Sequence, residues 1–431
     1  MTPEIFGIKI TAQKKDKVLE QIKQRITESR KTFVVTPYSE FFYRSFHDYE
    51  FKDILNSADI ALPDGISVLW LAYYFSIPLT AKRFYIKALQ AFWQLITSGL
   101  CILFRPYKIR SVVHEKISGS DFFWDLAELA HKNNYSLLLL GGFGDTSEIA
   151  AKKIAAKYPG IRVYSSNTEP DDPRTPILIN NKKPDILMVA YGPVKQEKWI
   201  HKSMADLDAK IFIGLGGTFD YVAGKKSFAP KFIRDAGLEW LYRLITQPTR
   251  ISRIWNGTFG LARGALREKV FSSMPLRQNV LGVIINEQGR ILAAKRRSKK
   301  VNGENSNPDA DHWQFPQGGV DKNESPEHAI KREILEETGI RTVEILGKAG
   351  KTNIYKWNET VRNIFFNRLK YRGQEQHIYF LRYDGNGEDV RPDNREFEEF
   401  KWVEPSELRS TIHPFRKKAV DIILENISKY L

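Results

Sequence analysis

Short apolar runs alternate with amphipathic stretches through the first half of the chain, and this alternation restricts the fold more than any other feature. The runs each end in Gly or Pro: FVVTP, DIALP, SLLLLGG, DILMVAYG and AKIFIGLGG. The stretches between them, such as residues 39–58, 146–158 and 196–207, have the apolar spacing of helices. Strands that are apolar throughout are buried on both faces, as in parallel sheets joined by helices. The sequence therefore predicts an α/β fold with a parallel sheet covered by helices on both faces.

Polar residues and glycines follow the ends of these strands. In such sheets ligands bind outside the carboxyl ends of the strands. Glycines at these positions let backbone N–H groups approach a phosphate or a ribose. We therefore expect one crevice at this edge, lined by Thr36, Asp64, Gly141, Gly142, Gln196, Glu197, Gly216, Gly217 and Asp220.

A second restricting feature is the stretch GGVDKNESPEHAIKREILEETGI at residues 318–340. Ser325 suits the N-cap of a helix, and Gly339 suits its C-terminal end. Three carboxylates at i, i+3 and i+4 share one face of this helix: Glu333, Glu336 and Glu337. Clustered oxygen ligands suit Mg²⁺ or Mn²⁺. The alternative is an ordinary charged surface helix.

This stretch resembles the Nudix box, which has a Gly, a Glu and an Arg-Glu-apolar-x-Glu-Glu-x-Gly segment at fixed spacing. Every fixed position matches: Gly318, Glu324, Arg332, Glu333, Ile334, Glu336, Glu337, Gly339 and Ile340. The resemblance implies an α/β/α sandwich with pyrophosphohydrolase activity and structural roles for Glu324, Arg332 and Gly339. The implied ligands of Mg²⁺ or Mn²⁺ are the Gly318 carbonyl, Glu333, Glu336, Glu337 and Glu396.

Three flanking segments narrow the resemblance to RNA pyrophosphohydrolases and diadenosine tetraphosphate hydrolases. They are WQFPQGG at 313–319, YRGQEQHIYFLRY at 371–383 and EFEEFKWV at 396–403. The implied reaction is attack of water on a phosphorus of a nucleoside polyphosphate or an RNA 5′ end, with Glu333 or Glu396 taking the proton. The positions implied to hold the nucleotide and its phosphates are Arg297, Tyr355 and Arg416. From the residues alone, Glu396 and Arg416 can also be surface charges and Tyr355 a core residue.

The first half carries a second resemblance, to the WecG/TagA/CpsF glycosyltransferase family, over about residues 2–253. Its motifs are TPYSEF, ADIALPDGISVLW, KISGSDFF, LLLLGG, PDILMVAYGPVKQEKWI, GGTFDYVAG and APKFIRDAGLEWLYRLITQPTR. The resemblance implies a Rossmann-like domain that transfers N-acetylmannosamine, or a related sugar, from a UDP donor. The implied acceptor is undecaprenyl-diphosphate-linked N-acetylglucosamine, and no metal cofactor is expected for this half.

The resemblance implies that Asp64 is the general base and that Gln196 and Asp220 bind the donor. From the residues alone, Asp64 can also cap a helix over 65–74. Two positions depart from the family pattern: Tyr38 stands where Asn is usual, and Lys116 where Arg is usual. Lys keeps the charge but loses the two-pronged grip of a guanidinium on phosphate.

Two segments of the first half suit a membrane surface. An insertion at 81–115 contains the uncharged stretch 88–104 between basic flanks, KRFYIK and RPYKIR. Seventeen residues fall short of the roughly 20 that span a bilayer, so a helix or helical hairpin in the membrane interface is expected. A buried core helix is the alternative. The second segment is a basic tail at 229–255. The resemblance implies that this tail meets the membrane and brings arginines to the active site, and Arg234 and Arg243 are the candidates for stabilising a diphosphate. A solvated basic face is the alternative.

The whole chain has a net charge of +15, which suits anionic partners such as phosphorylated substrates, RNA or an anionic membrane surface. A single cysteine, Cys101, excludes an internal disulfide framework. The first residues lack the apolar core of a signal peptide, so we expect a cytoplasmic protein, peripheral on the inner face of the membrane. We predict a first domain at 1–268, a linker at 269–278 and a second domain at 279–431.

Three functions are compatible with this sequence. The first is a bifunctional enzyme with both activities. The second is a Nudix hydrolase whose first domain is a catalytically degenerate nucleotide-binding or membrane-docking module. The third is a non-catalytic RNA-binding protein, which the complete carboxylate set disfavours.

Overall fold

The chain forms two compact units, Met1–Ser272 and Ser273–Leu431. The computed structural model describes residues 2–227, 230, 233, 242, 255–297, 300–301, 304–305, 312–357, 370–385, 387, 389–391 and 396–431. Each unit is described by itself.

The N-terminal unit is built on a six-stranded sheet in which every neighbouring pair is parallel. A two-stranded hairpin, β1 (Glu4–Ile5) and β2 (Ile8–Lys9), precedes it. The order across the sheet is β4-β3-β8-β7-β5-β6. The six strands are β3 (Thr32–Val35), β4 (Ile60–Ala61), β5 (Ser136–Gly141), β6 (Arg162–Ser166), β7 (Ile186–Ala190) and β8 (Ile211–Gly214).

Helices cover both faces of this sheet. They are α1 (Lys15–Thr27), α2 (Ser39–Ser45), α3 (Tyr49–Ser57), α4 (Ile66–Ser76), α5 (Phe84–Phe104), α6 (Pro106–Ile109), α7 (Gly119–Asn133), α8 (Thr146–Lys157), α9 (Arg174–Lys182), α10 (Lys195–Ser203), α11 (Thr218–Ala223) and α12 (Leu261–Ser272), with a π-helical turn at Asn256–Gly260. Successive side chains of a strand point to opposite faces. Leu138 and Leu140 accordingly join one buried cluster and Leu137 and Leu139 the other. The predicted parallel sheet with two covered faces is confirmed.

The uncharged stretch 88–104 of the insertion lies within one long helix, α5, and does not form a helical hairpin. Only 17% of its most apolar 18-residue stretch is buried, so it is not a core helix. By length and composition it is the one helix among the described residues that is long and apolar enough to cross a membrane.

The C-terminal unit is built on an eight-stranded mixed sheet. Its central pair, β9 and β17, is parallel, and the other pairs are antiparallel. The strands are β9 (Arg277–Asn286), β10 (Ile291–Arg296), β13 (Trp313–Gln314), β14 (Gln317–Gly319), β15 (Glu344–Lys348), β16 (Asn353–Lys356), β17 (Gly373–Tyr383) and β18 (Phe397–Val403), and a separate hairpin is formed by β11 (Lys300–Val301) and β12 (Glu304–Asn305).

Helices lie on both faces of the mixed sheet as well. They are α13 (Pro326–Thr338), α14 (Leu408–Thr411) and α15 (Lys417–Asn426), with short 3₁₀ turns at Pro405–Glu407, Pro414–Arg416 and Ile427–Lys429. Ile330 and Ile334 of α13 pack on one face with Val280 of β9. Ile423 of α15 packs on the other face with Leu281 of β9. The predicted α/β architecture is therefore confirmed in this half too.

Candidate functional site

The carboxyl ends of β3, β4 and β8 meet around Asp64. The backbone N–H of Asp64 donates to the Pro37 carbonyl at 3.0 Å. Its carboxylate accepts from the backbone N–H of Gly119, the first residue of α7, at 3.3 Å. A Cβ placed on Gly119 would lie 3.4 Å from Oδ2 of Asp64 and 3.7 Å from the hydroxyl of Thr218. One small volume therefore contains the carboxylate, a helix N-terminus and a hydroxyl.

Asp64 is partly accessible, unlike two of the polar residues predicted for the same crevice. Its side chain is half-buried, whereas Thr36 and Gln196 are only 6% and 3% exposed. Helix α4 starts at Ile66, with Gly65 at the N-cap position, so Asp64 lies one residue before the cap. The backbone of Asp64 is fixed by its bond to Pro37, and its carboxylate by the bond from Gly119. A half-buried carboxylate in a fixed position can act as a general base on a bound hydroxyl.

Gln196 is connected to the end of β8 by a chain of buried hydrogen bonds. Its Oε1 accepts from the Gly216 N–H at 3.1 Å, and its Nε2 donates to Oε1 of Glu197 at 2.7 Å. Oε2 of Glu197 accepts from the N–H of Val194 at 2.7 Å. Val194 has a φ of +73°, which is an uncommon and costly conformation for a β-branched residue. The buried carboxyl thus stabilises a strained turn that orients Gln196.

Glu197 should make the stability of the N-terminal unit depend on pH. Burial raises the pKa of its carboxyl to about 7, well above the value of about 4.3 of an exposed Glu. The folded state therefore favours the protonated form. The resulting stability is fully present below the unfolded-state pKa and is lost as the pH rises through the folded-state pKa. We expect the free energy of unfolding to fall between about pH 4 and about pH 7, by at most about 1.4 kcal/mol per pH unit from this group.

Glu197→Gln should remove this contribution, because its side chain stays neutral throughout. Urea unfolding of the parent and the variant, measured across the same pH range, tests the difference between the two slopes. Glu148→Gln is the control, since Glu148 is a 60% exposed carboxylate of the same unit. Equal slopes in the parent and in Glu197→Gln would exclude a titrating Glu197.

Two predicted glycines at the strand ends make close contacts or hydrogen bonds with the neighbouring strand β7. Gly141 has a φ of +84°, and a Cβ there would lie 2.7 Å from the Tyr191 ring. The N–H of Gly142 donates to the Ala190 carbonyl at 3.1 Å. The N–H groups of Gly142 and Gly216 each donate a hydrogen bond within the fold, and the phosphate cradle that the sequence predicted stays a prediction.

The remaining predicted residues of this half lie on several elements. The N–H of Ile117 donates to the Pro63 carbonyl at 3.0 Å, so Lys116 belongs to a segment that runs beside Asp64. Asp220 is on α11 and forms an ion pair with Lys226. Gly217 precedes the same helix. Arg234 and Arg243 lie outside the described residues.

In the C-terminal unit, Arg332 is the centre of the predicted carboxylate cluster. Its Nε and Nη2 each donate to a carboxylate oxygen of Glu324 at 2.9 Å. Its Nη1 donates to Glu333 at 2.8 Å and to Glu336 at 3.3 Å. The paired guanidinium lowers the pKa of Glu324 to about 2. Arg332 therefore fixes the helix to the preceding loop and holds two of the three helix carboxylates.

Strand β14, which precedes the helix, contacts the carboxylates directly. A Cβ on Gly318 would lie 1.8 Å from Cδ of Glu333, so the two groups are in direct contact. The N–H of Gln317 donates to Oε2 of Glu337 at 2.9 Å. The helix itself starts and ends as predicted, with the Ser325 hydroxyl accepting from the His328 N–H and Gly339 at a φ of +77°.

Within the part of the chain that the structure describes, no three His, Cys, Asp or Glu side chains are arranged to hold one metal ion. Arg332 forms ion pairs with both Glu333 and Glu336. The donor chemistry nevertheless fits Mg²⁺ or Mn²⁺, which prefer carboxylate and carbonyl oxygens. Burial raises the pKa of Glu333, and the nearby charges of Glu336 and Glu396 raise it further. A divalent cation would relieve this repulsion.

A buried chain of side-chain amides extends from the carboxylate cluster. Gln317 is its junction: its Oε1 accepts from Arg416 Nη1 at 2.7 Å and from Gln376 Nε2 at 2.6 Å. Arg416 also donates to Gln314 at 2.6 Å, and Gln376 donates to Asn279 at 2.8 Å. The sequence singled out Arg416 alone; the available signal was the spacing of Gln374 and Gln376, which stand two residues apart and so share one face of β17.

Of the other predicted residues of this unit, Arg297 and Glu396 lie together, and Tyr355 lies beside the amide chain. The N–H of Arg297 donates to the Glu396 carbonyl at 2.8 Å, so these two exposed residues are neighbours. The Tyr355 hydroxyl donates to Gln374 on β17. Strand β16, which carries Tyr355, pairs with β17, which carries Gln374 and Gln376. Tyr355 therefore lies next to the amide chain.

Comparisons with known proteins agree with this division. Residues 3–104 and 87–274 match the model of the glycosyl transferase WecG/TagA/CpsF family, and residues 275–422 match that of the NUDIX domain. An N-acetylglucosaminyldiphosphoundecaprenol N-acetyl-beta-D-mannosaminyltransferase of Bacillus subtilis is 28% identical over 234 residues, which are 54% of this chain and 78% of the relative. A protein of the same name from Staphylococcus aureus is 25% identical over 177 residues, 41% of this chain and 70% of the relative.

Several solved structures are similar to part of this chain. A Caenorhabditis elegans Ap4A hydrolase complex is 19% identical, with a TM-score of 0.27, and the match covers 36% of this chain and 97% of that one. A MutT protein from Methanosarcina mazei is 20% identical, with a TM-score of 0.27, covering 37% and 96%. The family matches divide the chain near residue 274, next to the boundary between the two compact units. The chain belongs to the WecG/TagA/CpsF family of glycosyl transferases and carries a NUDIX domain in its C-terminal part.

Proposed function

We propose that the N-terminal unit transfers N-acetylmannosamine, or a related sugar, from a UDP donor to undecaprenyl-diphosphate-linked N-acetylglucosamine. The names of the Bacillus and Staphylococcus relatives describe transfer of N-acetylmannosamine to N-acetylglucosaminyldiphosphoundecaprenol, and the UDP donor is part of our proposal. The observation that carries the proposal is the position of Asp64, a half-buried carboxylate where three strand ends and the start of α7 meet.

In this reaction the acceptor hydroxyl oxygen forms a bond with the anomeric carbon of the donor sugar, and UDP departs with the electron pair of the broken bond. Asp64 takes the proton of the hydroxyl. Lys116, beside Asp64, supplies a positive charge for the diphosphate, and Arg234 and Arg243 of the basic tail are further candidates. Thr36, Gln196, Gly141, Gly142, Gly216, Gly217 and Asp220 shape the donor site, Thr36 and Gln196 mainly from buried positions.

The test is release of UDP from UDP-N-acetylmannosamine by the full chain, with the lipid-linked acceptor in vesicles. We expect release to depend on the acceptor and to yield the disaccharide lipid. Release of UDP at the same rate without acceptor, or no release at all, would contradict the proposal.

We further propose that the C-terminal unit hydrolyses a phosphoanhydride bond of a nucleoside polyphosphate or of an RNA 5′ end. Glu333, Glu336, Glu337, Glu396 and the Gly318 carbonyl would hold Mg²⁺ or Mn²⁺. A bound divalent cation supplies polarisation of the phosphate and acidification of water. Glu333 or Glu396 accepts the proton of the attacking water, Arg332 positions the carboxylates, and Arg297, Tyr355 and Arg416 contact the nucleotide and its phosphates.

Removal of divalent cations should separate the two activities. Chelation with EDTA should abolish hydrolysis of diadenosine tetraphosphate and of triphosphorylated RNA, and Mg²⁺ or Mn²⁺ should restore it. Sugar transfer should continue in EDTA, because its proposed chemistry uses only Asp64 and fixed cations. Hydrolysis that survives exhaustive chelation would contradict the metal assignment.

One observation favours a second function, in which the N-terminal unit binds a nucleotide or membrane without catalysis. Tyr38, which stands where the family usually has Asn, donates from its hydroxyl to Glu40 at 2.9 Å and packs on Phe41. Its side chain is thereby directed into the start of α2. A chain that binds UDP-sugar but releases no UDP with acceptor present would establish this alternative.

We place the protein in the cytoplasm, peripheral on the inner face of the membrane. A lipid-linked acceptor keeps its sugar at the bilayer surface, so an enzyme that uses it must reach that surface. Fractionation of cells that express the chain tests this placement, which predicts recovery with membranes and release by high salt.

A further inference from the structure

The outward side of α5 is a continuous apolar stripe. Its exposed side chains recur at helical spacing: Tyr85, Leu89, Trp93, Ile96, Leu100 and Leu103. Each of these six, the outer stripe, is between 40% and 68% exposed. Soluble proteins rarely leave so large a contiguous apolar patch in water. Something of apolar character is therefore expected to cover it.

The inner side of α5 is attached along its length to the rest of the unit. The Trp70 indole N–H donates to the Ser98 hydroxyl at 2.9 Å. The Tyr74 hydroxyl donates to the Ala91 carbonyl at 3.1 Å. The Gln94 amide donates to the Pro78 carbonyl at 3.0 Å. These bonds determine which side of α5 faces outward.

The chain segment that carries the outer stripe has ionised side chains of one sign only. Residues 65–114 contain no Asp and no Glu. They contain six cations, placed before, within and after the helix: Lys82, Arg83, Lys87, Arg105, Lys108 and Arg110. An apolar stripe between cations complements a surface that is apolar below and negatively charged above.

We propose that the outer stripe of α5 docks the N-terminal unit on an anionic lipid bilayer, with the helix axis lying in the membrane plane. The stripe enters the boundary between headgroups and acyl chains, and the flanking cations contact lipid phosphates. This deepens the proposed transfer to a lipid-linked acceptor by naming the surface that brings the site to the bilayer. Binding to lipid needs neither donor nor acceptor, so it can be tested apart from that function.

The in-plane arrangement follows from the attachments of α5. A helix of 21 residues is about 31 Å long and could cross the hydrocarbon layer by length. Crossing would break the bonds from Trp70, Tyr74 and Gln94 and would expose the buried Ser98 and Ala91. Lying flat keeps all of these contacts.

The first experiment measures co-sedimentation of the full chain with vesicles of phosphatidylcholine alone or with added phosphatidylglycerol. We expect binding that increases with phosphatidylglycerol and weakens with salt. The triple variant Leu89→Gln, Trp93→Gln, Leu100→Gln should weaken binding by about tenfold or more, because the apolar insertion is lost. Ile177→Gln, on the 60% exposed Ile177 of α9, is the matched control and should bind like the parent.

The second experiment measures depth. Cys101 is the single cysteine, so Cys101→Ser gives a background for spin labels introduced through Leu89→Cys or Leu100→Cys. These positions are 11 residues apart, about 16 Å along the helix axis. The in-plane arrangement predicts equal label depths, whereas a transmembrane helix predicts depths that differ by about 16 Å.

Three results would overturn the proposal. The first is equal vesicle binding by the parent and the triple variant, or no binding by the parent. The second is unequal label depths. The third is a lipid-free dimer that the triple variant dissociates, which would assign the outer stripe to a second copy of the chain. Circular dichroism and thermal unfolding of each variant confirm that the exposed substitutions leave the fold intact.

Discussion

Replacing Asp64 with Asn should lower the rate of sugar transfer by about a hundredfold to ten-thousandfold, the range that a general base contributes. Asn has the shape of Asp and still accepts the hydrogen bond from the Gly119 N–H, which the carboxylate accepts at 3.3 Å. It cannot take the proton of the acceptor hydroxyl. The loss should therefore appear in kcat, measured as acceptor-dependent UDP release, while donor binding and thermal stability stay close to those of the parent.

The matched control for Asp64→Asn is Asp53→Asn, since Asp53 is an exposed carboxylate on α3 of the same unit. That variant should transfer sugar at the parental rate. Hydrolysis by the C-terminal unit should be unchanged in both variants. Transfer by Asp64→Asn within a few-fold of the parent would remove Asp64 from the catalytic step.

Glu336→Gln should reduce hydrolysis of diadenosine tetraphosphate or triphosphorylated RNA by at least about a hundredfold. The side chain of Glu336 is 59% exposed, and its ion pair with Arg332 is 3.3 Å long. An exposed ion pair contributes little to stability, so the domain should stay folded. The expected defect is therefore in turnover and in the concentration of Mg²⁺ needed for half activity.

Glu344→Gln is the control for Glu336→Gln. Glu344 is an exposed carboxylate in a similar pair, 3.5 Å from Arg382, and it lies outside the box. The Glu344→Gln variant should hydrolyse diadenosine tetraphosphate and triphosphorylated RNA at the parental rate. If Glu336→Gln turned over at the parental rate, the carboxylate cluster would not be the hydrolytic site.

The sheet of the N-terminal unit was predictable because its central strands are buried on both faces. The five apolar runs correspond to β3, β4, β5, β7 and β8. The sequence did not show β6, an edge strand whose residues RVYSS are only partly buried and carry no apolar run. The stretch 39–58 was predicted as one amphipathic segment, but it is two helices, α2 and α3, because Asp48 caps a new helix by accepting from the Phe51 N–H.

The candidate sites were predictable where function fixes the spacing of residues on one element. The helix from Ser325 to Gly339 is an example, since its caps and its three carboxylates are local features. The partners across the fold were not predictable. Contacts between Arg416 and Gln317, or between Gln196 and Gly216, join residues far apart in the chain. They depend on which strands become neighbours.

The insertion shows the same limit. The lack of charge at residues 88–104 indicated an apolar helix, but it did not distinguish a hairpin, a core helix and an interfacial helix. The bonds from Trp70 and Tyr74 decide which side of α5 is covered, and neither residue is in the insertion. Only the assembled unit shows an exposed stripe.

The direct contact between Gly318 and Glu333 limits how the hydrolase half can be altered in the laboratory. Even a methyl group at position 318 would overlap the Glu333 carboxyl group and displace it. Every substitution of Gly318 should therefore lower the rate of hydrolysis in a saturation mutagenesis scan. Gly350, which has open space around its Cα, should accept alanine in the same scan. Mutant libraries that aim to change substrate preference should keep Gly318 invariant and can vary Gly350.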